Sequence, residues 1–94
     1  MLFHITHTHS YSTCMAHDEK NKSKFSQAIS NAEKLGIKVH GVYSDPPGHQ
    51  IFIIVETNTM EQIVKFLDPV IDFGDYDVRP VLDFSTAISN LSDK

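Results

Sequence analysis

The chain has 94 residues, 40% hydrophobic and 21% charged, which is the size and composition of one globular domain spanning residues 1–94. Eight Lys+Arg against twelve Asp+Glu give a net charge of −4. Lys20, Lys22 and Lys24 stand beside Asp18 and Glu19 as a solvated helix face, which argues against a nucleic-acid partner, since that needs clustered cations. The single cysteine, Cys14, cannot close an internal disulfide. The N-terminus lacks a cationic segment followed by an apolar one, and the longest apolar run, IFIIV at 51–55, is too short to span a bilayer. The expectation is a cytoplasmic, soluble protein without a membrane partner.

Residues 2–9, LFHITHTH, alternate with period two and predict a first strand. A small polar loop follows from Ser10 to Met15. From about His17 to Leu35 the apolar positions Phe25, Ala28, Ile29, Ala32 and Leu35 repeat as on one face of a helix, and Gly36 supplies its stop. IKVHGVY, 37–43, is a second strand. SDPPGHQ, 44–50, is a turn by composition, and its His49 is expected to face solvent. IFIIVE, 51–56, is apolar on both faces and predicts a central strand. In TNTMEQIVKFLD, 57–68, Thr59 with Gln62 three residues on forms a capping box for a second helix, limited by Pro69. FGDYDVRPVLD, 73–83, predicts a fourth strand whose Pro80 asks for a free edge position. Phe84, Ile88 and Leu91 place a short terminal helix over 84–92.

The order β-α-β-β-α-β predicts an α+β fold, the ferredoxin-like plait with an antiparallel sheet in order 4-1-3-2 and both helices on one face. At this length and element order the chain resembles the dimeric α/β-barrel proteins, which include muconolactone-isomerase-like and antibiotic-biosynthesis-monooxygenase-like domains. More narrowly, IFIIVET and the tail DYDVRPVLD resemble an uncharacterised family of about 90 residues. The resemblance implies a homodimer that covers the open sheet face with a second copy, and brings no catalytic set.

Strand alternation sorts the polar side chains. Phe3, Ile5, His7 and His9 share one face of the first strand. Ile37, Val39, Gly41 and Tyr43 share one face of the second, and Tyr76, Val78, Pro80 and Leu82 one face of the fourth; these sets are expected to meet the helices. His4, Thr6, Lys38, His40, Asp77 and Arg79 are left on the open face. A face this polar predicts a wet, ligand-sized cavity between paired sheets.

Four of the six histidines and the cysteine fall within residues 4–17. His-x-His on a strand sets two imidazoles about 6.5–7 Å apart at Cα on one face, and both can reach one ion at about 2 Å. With Cys14-x-x-His17, the pattern H-x-H-x4-C-x2-H offers His7, His9, Cys14 and His17 as ligands for zinc or copper. Met15 is a candidate weak thioether ligand and Asp75 a candidate oxygen ligand. The leading expectation is a small protein that binds a transition metal or small ligand in sensing, handling or storage. Two alternatives stand beside it. One is a cofactor-independent oxygenase- or isomerase-like enzyme, with His4 or His40 as base, Arg79 as charge stabiliser and Thr6 as donor. The other is an interaction module without chemistry, its histidines exposed at a strand end.

Overall fold

The computed structural model describes residues 1–10, 14 and 17–92, with Ser92 described by its backbone alone. Strand β1 runs Leu2–Thr8, helix α1 Glu19–Ser30, strand β2 Lys38–Asp45, strand β3 Gln50–Glu56, helix α2 Met60–Leu67, strand β4 Asp75–Val81 and helix α3 Phe84–Ser92. The four strands form one antiparallel sheet in the order β2-β3-β1-β4. The fold is the expected α+β arrangement, with β3 and β1 central and β4, which carries Pro80, on an edge.

The core follows the alternation. Phe3 and Ile5 from β1 and Ile53 and Val55 from β3 are buried under Phe25, Ala28 and Ala32 on one side and Ile63, Phe66, Leu67 and Val70 on the other. These are the apolar stripes of the two helical segments, and their burial is the main favourable term in folding.

The helices are shorter than their stripes. Asp18 caps α1, accepting from the Asn21 N–H at 3.1 Å. The helix ends at Ser30, and the chain tightens into a 3-10 turn over Ala32–Leu35 that closes at Gly36, φ 77°. Thr59 caps α2, accepting from the Gln62 N–H at 3.3 Å. The Gln62 side chain does more than a capping box asks of it. Its Oε1 accepts from the Asn58 N–H and the Thr57 hydroxyl, while its Nε2 donates to the Leu35 carbonyl at 3.0 Å, so one amide ties the start of α2 to the end of the first helical segment. Past Leu67 the chain continues as a 3-10 turn, Asp68–Phe73, with Pro69 in its first turn. Proline has no N–H to extend the α pattern.

Strand β2 departs from simple alternation. Val39 pairs with Val55, but Gly41, not His40, pairs with Ile54, so His40 is an extra residue in a bulge. One extra residue flips every later side chain. Tyr43, expected under the helices, pairs with Phe52 on the open face and is 63% exposed. Val42 and Ser44 turn toward the helix side, paired with Ile53 and Ile51.

The open face carries His4, Thr6, Phe52 and Ile54, all half-buried, among exposed charges. Helix α3 projects from the end of β4 with Phe84, Ile88 and Leu91 exposed, and the molecule measures 51 × 30 × 17 Å along its principal axes.

Candidate metal centre

The end of β1 is where the chain's chemistry gathers. Antiparallel pairing sets Thr8 opposite Gln50 of β3 and opposite Asp75 of β4. The turn that precedes β3 is therefore carried to the same end. His49 closes that turn in the left-handed region, φ 55°, a conformation in which histidine is enriched among non-glycine residues. Its N–H donates to the Pro46 carbonyl at 3.1 Å, and its own carbonyl accepts from the His9 N–H at 3.0 Å. Asp45 supports the turn by accepting from the Gly48 N–H at 3.1 Å. His9 and His49 are thus locked side by side through backbone bonds, with ring centroids 5.3 Å apart and planes at 79°.

Cys14 completes the group. One nitrogen from each of His9 and His49 and the Cys14 sulfur lie within 4.8 Å of one another. A tetrahedral ion at ordinary bond lengths sets such atoms about 3.3–3.7 Å apart, a closure within reach of small side-chain rotations. His9 is 9% exposed, and Nδ1 of His9 and Nδ1 of His49 are both buried without a hydrogen-bond partner among the described residues. Burial, and then the neighbouring His49, lower the pKa of His9. Its imidazole is therefore neutral near pH 7, the form a metal requires.

His7 stands directly behind. It is fully buried, its ring centroid 5.0 Å from that of His9, 4.7 Å from Tyr76 and 5.6 Å from Phe25. Neither ring nitrogen has a partner among the described residues. Burial first, and the adjacent His9 second, lower its pKa to about 4, while Asp75 works in the opposite direction. Tyr76 is held in place by donating its hydroxyl to the Val70 carbonyl at 2.6 Å. Gly74 packs against this stack so closely that a Cβ there would stand 2.8 Å from His7 Cε1 and 3.2 Å from His9 Cα.

Of the four expected ligands, the structure brings His9 and Cys14 together and adds His49. His7 touches His9 but is not one of the three converging groups, and His17 is exposed just ahead of α1. Asp75 is exposed beside Thr8, and Met15 lies outside the described residues. His49, expected in solvent, is half-buried at the site. The sequence signal for it was the sheet order itself, because an antiparallel β1–β3 pair brings the residue before β3 to the residue after β1.

The second candidate set is dispersed. His4 and Arg79 are cross-strand partners, but His40 lies on β2, at the opposite edge of the sheet from β4. His40 Nε2 is 2.8 Å from Glu56 Oε1, and this contact holds the Glu56 carboxyl below its usual range. Arg79 Nε donates to the Asp77 carboxylate at 3.1 Å. These are exposed pairs on an open face. The His4 ring nitrogen lies 3.5 Å from the Thr6 hydroxyl, and the ring centroid stands 6.2 Å from that of Phe52.

Beside the His9–Cys14 pair opens a cleft of about 350 Å³. Lys22, Phe25 and Ser26 of α1 form one wall, and Ser44, Pro46 and Ile51 of the β2–β3 hairpin the other. No helix among the described residues is long and apolar enough to cross a membrane.

No curated protein matches the sequence. Among solved structures, the chain is similar to SCO4226 from Streptomyces coelicolor A3(2), with a TM-score of 0.64 at 12% identity over 88% of this chain and 99% of that one. It is also similar to the de novo designed protein Ferredog-Diesel, with a TM-score of 0.51 at 13% identity over 84% and 82%. At such identities the likeness is one of fold. A family model described as a domain of unknown function, DUF3303, matches residues 1–94. The chain belongs to the DUF3303 family.

Proposed function

We propose that the protein binds one transition-metal ion, zinc or copper, through His9, Cys14 and His49, and serves in metal sensing, handling or storage. The observation that carries this reading is the convergence of two imidazoles and a thiol from three separate segments within 4.8 Å. A mixed nitrogen and sulfur set is the one that borderline and soft ions prefer. The buried, unpartnered Nδ1 atoms of His9 and His49 support it further, since such atoms are costly to leave unsatisfied. Elemental analysis of untagged protein, purified without a nickel column, is expected to give close to one zinc or copper per chain. His9→Ala and His49→Ala should each lose most of it, and His17→Ala should keep it. Metal far below stoichiometric, with no uptake of added zinc or copper at micromolar levels, would sink the reading. A turnover role for His4, His40 and Arg79 has no comparable convergence behind it.

The same reading takes the working unit as a homodimer, the arrangement of the dimeric α/β-barrel group that the sequence resembles. Phe52 and Ile54 on the open sheet face and the exposed stripe Phe84, Ile88 and Leu91 of α3 support it, because apolar side chains left at the surface favour a covering partner. Light scattering on a sizing column should return about twice the 10.6 kDa chain mass. A monomer mass at tens of micromolar would refute it.

A further inference from the structure

We infer that the metal centre is an open one, and that its free position takes a small carboxylate whose apolar body lies in the cleft between α1 and the β2–β3 hairpin. This rests on the metal reading above and goes beyond it by naming what the bound ion holds.

Three ligands, the number that converge among the described residues, leave a tetrahedral ion one vacant position, which is the arrangement of sites that bind or activate a further molecule, whereas closed sites take four. The direction of that vacancy follows from the placement of the ligands. His9 and Cys14 both line the cleft, while His49 is not among its lining residues, so an ion held by the three sits at the cleft wall. At about 350 Å³ the space falls at the lower end of small-molecule sites.

The charge decides the class of ligand. A divalent ion with one thiolate and two neutral imidazoles keeps a net positive charge, and Lys22 adds another. Lys22 is paired with Glu19 Oε1 at 2.9 Å, on side chains 43% and 88% exposed. Such a surface pair is weak and leaves the ammonium free to swing to an anion in the cleft. Ser26 and Ser44 add hydroxyl donors, whereas Phe25, Pro46 and Ile51 offer apolar wall. One anionic head beside a short apolar body satisfies all of these groups together. A phosphate or sugar would leave the apolar wall uncovered.

Cobalt(II) substitution tests both levels at once, with phenylacetate as the probe. Bound cobalt should show a thiolate-to-metal charge-transfer band that Cys14→Ser removes. Phenylacetate should then shift the visible cobalt bands saturably, with phenylacetamide at least tenfold weaker. Lys22→Met should weaken phenylacetate about tenfold while leaving the charge-transfer band in place, the size expected for one charge-assisted contact. If the band forms but phenylacetate gives no saturable shift, or binds Lys22→Met equally well, the inference falls and the metal reading stands. If no charge-transfer band forms, the metal reading falls and takes the inference with it.

Discussion

Gly74→Ala will lower the stability of the protein by about 3 kcal/mol or more and will strip the metal centre of its affinity. Gly74 precedes β4 with φ 154°, inside the range that side-chain-bearing residues rarely adopt. A Cβ there would run into the Thr8 carbonyl oxygen and stand 2.8 Å from the His7 ring and 3.2 Å from the His9 Cα. None of these neighbours can yield easily. The carbonyl and the Cα belong to the backbone at the end of β1, and the His7 ring is wedged between Phe25, Tyr76 and His9. Backbone strain and overpacking each cost about 1–3 kcal/mol, and here they fall on one residue. Relief requires the end of β1 to move away from β4, which carries His9 off its hydrogen bond to His49. Urea unfolding paired with zinc titration is the check. A variant within 1 kcal/mol of the parent (about a factor of five in the folding equilibrium) that still binds zinc normally would refute this account.

The opposite sign is expected at position 7. His7→Leu should raise the stability of chelator-treated protein by about 1–2 kcal/mol at pH 7, because it replaces a buried ring whose two nitrogens have no partner among the described residues with an apolar side chain of similar size. The pH dependence supplies a second readout. The folded-state pKa of about 4 lies below the ordinary 6.5, so the unfolded chain takes the proton first as the pH falls. The stability tied to a neutral His7 is therefore complete above about pH 6.5. It drains away as the pH drops toward 4, by up to about 3 kcal/mol. Leucine at position 7 should flatten that decline. The groups that face His7 are the His9 ring, which adds to the depression, Asp75, which opposes it, and the Tyr76 phenol, whose burial pushes its own pKa up. An unchanged pH profile in His7→Leu would show that the decline belongs to other groups. Retention of one metal per chain in that variant would place His7 behind the ligands and not among them.

The fold was readable because its signals are local and periodic. The stripe Ile63, Phe66, Leu67 and Val70, the pairing of Thr59 with Gln62, and the alternation of Phe3, Ile5 and His7 each require one geometry, and together they allow few chain paths. The end of α1 was less legible, because a 3-10 turn keeps Ala32 buried with nearly the same spacing as an α-helix would. The site was half legible. His9 and Cys14 are close in sequence, and strand and loop chemistry brings them together. His49 is 40 residues from His9, in a turn whose composition predicts exposure, and only tertiary pairing makes it a neighbour. His17 is the converse case. Near Cys14 in sequence, it stands exposed just ahead of α1, outside the group that converges among the described residues.

The bulge at His40 has a consequence at a distance. Were His40 paired regularly with Ile54, β2 would run in strict alternation to its end, and the inward side chain beside Ile51 would be the phenol of Tyr43 in place of the hydroxymethyl of Ser44. A ring of that size would plug the space next to Cys14 and Phe25. The bulge thus acts as a parity switch for the hairpin: it sends the bulky aromatic out onto the bare face of the sheet, where it folds over Gly41, and leaves an opening in the wall behind. Deleting His40 should therefore keep the chamber: Gly41 would follow Val39 in regular pairing, with Val42 and Ser44 still inward and Tyr43 still outward.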